Sequence, residues 1–225
     1  MTPEEYNKSI VTISKEHLAT LPPAEYKGKI CVVDDSAKLE PAILDLNKSN
    51  VIGFDTETRP SFRKGMHYNV ALIQLATNDT TYLFRTNKIG YPKELIDILQ
   101  NPEKLKIGLS IHDDFLNLRK VVDFEPQGFV DLQPFVKEFK IADNSLSRLY
   151  GILFGERISK GQRLSNWEAE GLTEAQCIYA ALDAYSCLKI YNYLNDNNFN
   201  PKTSPYLTLP PEPEPEDREG ENKTS

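Results

Sequence analysis

The chain has 225 residues, 40% of them apolar and 26% charged, with a formal net charge of −7. These totals fit one globular domain with extensions. No apolar run approaches the ~18 residues of a membrane span, and the start MTPEEYNKSIV lacks the basic-then-apolar pattern of a secretory signal. Cys31, Cys177 and Cys187 are too few and too scattered for a disulfide framework, and read as reduced thiols of a cytoplasmic protein. His17, His67 and His112 do not pair with them at zinc-site spacing. An acidic total argues against a phosphate-backbone binder. The charge is uneven, however: from Pro210 onward six acids face two bases, so −4 of the −7 lies there.

Residues 1–27 read as an extension that wraps the surface, broken at Pro22-Pro23. KICVVD (29–34) predicts a strand, and 37–48 carry apolar positions at helical spacing. VIGFDTE (51–57) reads as a buried strand. VALIQLA (70–76) and TTYLF (80–84) predict two strands around an Asn78-Asp79 turn. Tyr91-Pro92 opens a helix to Gln100, and LKIGL (105–109) is a short strand. Helices are predicted over 113–122 and 131–139, and from Ser145 to a stop at Gly155. Thr173 with Gln176 makes a capping box for a long helix to Leu194. Residues 196–225, rich in Pro and Glu, predict a disordered tail. The order is hairpin, then strand–helix alternation, then helices. It predicts an α/β fold with a mixed β-sheet flanked by helices, whose functional groups should sit at the carboxyl ends of central strands.

Acids cluster at such places. Asp55 and Glu57 are two apart on a strand, so both carboxylates share a face. Like charges held close repel unless a cation intervenes, and oxygen-only ligands suit Mg²⁺ or Mn²⁺. Asp113 and Asp114 follow the short strand, where helix capping is an equally good reason for an acid. Tyr179 and Asp183 are four apart on the last helix, among small and apolar residues. Taken singly, each signal also fits an ordinary solvated or capping acid.

Three segments in order resemble the motifs of DEDDy 3′–5′ exonucleases: FDTET, KIGLSIHDDFLNLRK, and LSNWEAEGLTEAQCIYAALDAY with its Tyr-x-x-x-Asp signature. The resemblance spans about residues 28–195, which predicts a single exonuclease domain there. It is strongest to the exonuclease domain of the Werner syndrome helicase, which shares the Asn-Trp pair, and weaker to ribonuclease D. It implies an RNase H-like exonuclease fold with two Mg²⁺ or Mn²⁺ ions held by Asp55, Glu57, Asp114 and Asp183. Tyr179 would orient the attacking water. The second-motif aspartate aligns with Asp114, and a one-residue slip exchanges it for Asp113. The implied activity is release of nucleoside 5′-monophosphates from the 3′ end of nucleic acid, DNA favoured over RNA.

Basic and stacking candidates for the substrate strand are Arg59, Arg63, Lys64 and His67 after the first motif. Arg157, Lys160, Arg163 and Trp167 lead into the third. A protein partner is expected to supply targeting or processivity. Competing readings are a ribonuclease D-like RNA-processing exonuclease, a non-catalytic nucleic-acid-binding module on the same fold, and an α/β phosphatase or nucleotide hydrolase using the same acids. With two divalent ions on the four acids, and the tail set aside, the body charge rises from −3 to about +1. The acidic total is thus compatible with a polymer partner once metal is bound.

Overall fold

The computed structural model describes residues 1–63 and 65–210. In chain order the strands are β1 (Ile10–Val11), β2 (Lys29–Val33), β3 (Val51–Thr58), β4 (Val70–Ala76), β5 (Thr80–Phe84), β6 (Leu105–Gly108), β7 (Phe129–Asp131) and β8 (Leu207–Thr208). The helices are α1 (Pro3–Lys8), α2 (Lys15–Thr20), α3 (Leu39–Leu46), α4 (Thr86–Ile89), α5 (Lys93–Gln100), α6 (His112–Arg119), α7 (Leu132–Phe135), α8 (Leu146–Phe154) and α9 (Glu174–Asn195).

The main sheet runs β2-β5-β4-β3-β6-β7. β3, β4 and β5 pair antiparallel in turn, and β2–β5, β3–β6 and β6–β7 pair parallel. This is the expected mixed sheet. Thr77 N donates to Thr80 O at 2.8 Å and closes the predicted hairpin around Asn78-Asp79. The Thr173–Gln176 capping box forms at the start of α9. Gly155 ends α8 in the left-handed conformation, φ 68°, as its lack of a Cβ permits.

One face of the sheet packs Ile52, Phe54, Ile73, Leu75 and Phe84 against α3 and α5. The opposite face lies under α9, flanked by α8. β4 is the most enclosed strand, buried at every residue. It therefore reads as a continuous apolar run broken only by Gln74.

Three local expectations change. The predicted helix over 131–139 is a strand end, the four-residue α7 and a 3₁₀ turn, Val136–Phe139. β7 is too short to leave a period, and Asp131 ends it by capping α7 through Gln133 N at 2.8 Å. Residues 1–27 do more than wrap the surface: Val11 and Ile13 are buried in the core. The predicted disorder from residue 196 does not hold for its first part. Phe199, Tyr206 and Leu207 pack on the α8–α9 core, and β8 pairs antiparallel with β1. Phe199, Tyr206 and Leu207 supply what the Pro/Glu-rich sequence after them lacks, something to bury. The remainder of the predicted tail, 211–225, lies outside the described residues.

Candidate active site

Alternation along β3 sorts its side chains. Ile52 and Phe54 enter one core, while Gly53, Asp55 and Glu57 share the face under α9. A Cβ at Gly53 would stand 1.9 Å from the Ala184 carbonyl oxygen. Only glycine lets the helix backbone approach this closely. Since Ala184 follows Asp183, that approach sets Asp183 beside Asp55. Asp55, Glu57 and Asp183 each present an oxygen within 4.8 Å of the others. Glu57 and Asp183 are only 8% and 7% exposed.

Asp114 reaches the same strand end from α6. It accepts a hydrogen bond from the Thr56 hydroxyl, the middle residue of the first motif. Asp113 instead points outward, its side chain 89% exposed beside His112. The turn that presents α6 places Ser110 at φ 59°. Asp131 holds it, accepting from Ser110 N at 3.0 Å and from Ile111 N at 3.3 Å. Sequence reading missed Asp131. Nothing short of the β6–β7 pairing brings it to that turn.

These acids hold their protons unusually tightly. Burial and the charges of Asp183, Asp114 and Glu57 push Asp55 well above the ordinary carboxylate range. Glu57 rises to about 9 by burial and the charges of Asp183 and Asp114, with Arg163 opposing. Burial lifts Asp183 to about 7 against the opposing effects of Tyr179 and Lys160. Asp114 reaches about 6 by burial, with the Thr56 hydrogen bond opposing. Burial, then the charges of Asp183 and Glu57, also raise Tyr179, so its hydroxyl stays protonated. Crowded oxygen ligands whose repulsion is unrelieved are a donor set that fits a hard divalent cation.

The basic candidates divide. Lys160 and Arg163 line a cavity of about 310 Å³ with Asp55, Tyr179 and Asp183. Arg59 and Arg63 line a second groove, of about 450 Å³, with Phe62, Met66, Tyr68 and Leu164. Arg59 stacks 4.7 Å over the Tyr68 ring and pairs with Glu168 at 3.4 Å. Phe62 and Leu164 are 82% and 61% exposed beside this groove. Sequence reading passed over them because it sought charge; an exposed large apolar residue shows itself only in the structure. His67 is exposed and lines neither cavity. Lys64 lies outside the described residues.

Two candidates are corrected. Trp167 is fully buried among Leu72, Leu83 and Ala180, so it offers no surface to a base. It packs instead on Tyr179, ring centroids 6.1 Å apart. Arg157 faces the N-terminal segment, donating from Nε to Leu21 O at 3.1 Å. It holds that segment and is not at the acids.

Comparison with known proteins decides the family. The family model described as a 3′–5′ exonuclease matches residues 30–197. The chain belongs to the 3′–5′ exonuclease family. This exonuclease is 34% identical over 186 residues to the mouse bifunctional 3′–5′ exonuclease/ATP-dependent helicase WRN, covering 78% of this chain and 13% of that protein. It is 28% identical over 184 residues to an Arabidopsis thaliana 3′–5′ exonuclease, covering 76% and 63%. It thus spans less than two thirds of these relatives. A ribonuclease D of Haemophilus influenzae is 29% identical over 166 residues, covering 72% and 40%. Among solved structures, the Aedes aegypti Nibbler EXO domain matches with a TM-score of 0.69 at 24% identity, covering 80% of this chain and 96% of that one. Escherichia coli RNase D matches at 0.66 and 22%, covering 75% and 44%. The expected RNase H-like fold is met, and the exonuclease resemblance read from the motifs stands.

Proposed function

We infer that this exonuclease removes single nucleotides, as 5′-monophosphates, from the 3′ end of nucleic acid in a divalent-metal-dependent hydrolysis. The observation that carries the reading is the meeting of Asp55, Glu57 and Asp183 within 4.8 Å, with Tyr179 lining the same cavity. Asp55, Glu57, Asp114 and Asp183 would hold two Mg²⁺ or Mn²⁺ ions. When bound, such ions acidify a water and neutralise charge on the reacting phosphate. Tyr179, protonated and turned to the acids, orients the attacking water through its hydroxyl. Lys160 and Arg163 hold the scissile phosphate and its neighbour. The groove of Phe62, Met66 and Leu164, rimmed by Arg59 and Arg63, takes the terminal bases by stacking.

DNA is the favoured polymer, on the Asn166-Trp167 pair and the likeness to the mouse helicase. The second reading, an RNA 3′-processing enzyme, rests on the likeness to ribonuclease D. The free thiols suit a reducing compartment, and the cytoplasm is proposed. Targeting or processivity would come from a protein partner. The test is the double variant Asp55→Asn, Glu57→Gln on a 3′-recessed duplex in Mg²⁺ and in Mn²⁺, beside matched DNA and RNA single strands. Expected is a loss of at least about 100-fold on every substrate, with the wild type faster on DNA. A double variant as fast as wild type would refute the site. A wild type faster on RNA moves the assignment to the second reading.

A further inference from the structure

Gln74 is a polar interruption in the buried strand β4, and it is completely excluded from solvent. Among the described residues, neither its amide nitrogen nor its amide oxygen has a hydrogen-bond partner. A buried carboxamide with both ends unpaired is costly in any core and calls for a reason. Its surroundings offer no structural one. Leu72, two residues back on the same sheet face, packs on Ala180 of α9 and on Trp167. Leu83 stands across from Gln74 on β5. A leucine or methionine would satisfy such a position.

The strand register supplies the reason. Gln74 is paired directly with Asp55 across β3 and β4. Side chains directly opposite in an antiparallel pair share a face, with Cβ atoms about 4.5–5.5 Å apart. Rotation about the glutamine side-chain bonds therefore brings its amide to the Asp55 carboxylate. Asp55 has use for a donor. Its Oδ1 accepts from Thr56 N at 2.9 Å, and among the described residues Oδ2 accepts from none. Gln74 itself is shut off from solvent, and the nearest group across the strand pair for its amide to serve is the Asp55 carboxylate.

We propose that Gln74 is a positioning residue of the metal site: its amide donates to the Asp55 carboxylate and fixes its orientation as a ligand. The inference rests on the metal-dependent reading above. Partners of this kind around a ligand typically change metal affinity by about 10- to 100-fold.

The experiment compares wild type, Asp55→Asn and Gln74→Met by Mn²⁺ titration, following the loss of the free-ion electron paramagnetic resonance signal, with thermal melting in EDTA alongside. Methionine keeps the length of the side chain and removes both polar atoms. Expected is a 10- to 100-fold weaker Mn²⁺ affinity in Gln74→Met, with a metal-free melting temperature equal to or above that of wild type. A purely structural glutamine would give the reverse, lower metal-free stability and unchanged affinity, and that result overturns the proposal. If Gln74→Met does not fold, the wild type decides. Its Gln74 side-chain amide resonances, assigned through bonds in ¹⁵N-labelled protein, should shift on adding Mg²⁺, and their failure to move overturns the proposal. A wild type that binds no Mn²⁺ instead overturns the metal reading itself. The two failures are therefore distinguishable.

Discussion

At the residue scale, the four acids set a pH dependence with a definite sign. Their pKa values are raised in the folded chain: about 6 for Asp114, about 7 for Asp183 and about 9 for Glu57. Between the unfolded carboxylate values near 4 and these values, the folded metal-free protein binds more protons than the unfolded one. Stability from these groups is thus full below about pH 4 and is lost as pH rises through 6 to 9. Melting in EDTA should show a falling transition temperature across that window, and saturating Mn²⁺ at pH 8 should restore it. A flat profile would mean the acids do not share a buried site. Trp167 belongs to the same scale. It is fully buried against the ring of Tyr179, so Trp167→Ala should destabilise by about 3–5 kcal/mol in urea unfolding. Its turnover should fall with little change in KM, since it touches Tyr179 and not substrate.

At the element scale, the site is a contact between one strand and one helix. Gly53 lets α9 sit directly on β3, and Asp183 meets Asp55 because of it. Gly53→Ala places a methyl group into the Ala184 carbonyl. Overpacking costs about 1–3 kcal/mol or more, and the helix can only answer by moving away from the sheet. Activity should therefore fall further than stability does, with Mn²⁺ affinity reduced in parallel. A variant whose stability drops while its Mn²⁺ affinity stays at the wild-type value would separate the close approach from the site.

At the scale of the whole molecule, the two ends of the described chain meet. Ile10 pairs with Thr208 and Val11 with Leu207. Val11 is fully buried, and Tyr206 and Leu207 pack on the same core. Removing residues 211–225 deletes a net charge of −4 and none of these contacts. That truncation should leave the melting temperature unchanged and speed nucleic-acid association at low salt, a gain that disappears as ionic strength rises. Truncation after Asn200 removes β8 as well and should lower the melting temperature by several degrees. Equal melting of the two truncations would count against β8 as part of the domain.

The sequence by itself determined the α/β class, the long capped α9, the stop at Gly155 and the acids on β3 and α9. Each is written in a local signal: a capping box, a period of two, a glycine at a helix end, a Tyr-x-x-x-Asp spacing. The tertiary structure alone decided which neighbours these residues have. It turned Asp114 inward and Asp113 to solvent, took Trp167 out of the substrate's reach and sent Arg157 to the N-terminal segment. It also brought Asp131 to the α6 turn and paired Leu207 and Thr208 with β1. The reason is physical. Local signals report backbone preference and which face is apolar, whereas strand pairing and helix seating join residues scores of positions apart, which no local period encodes.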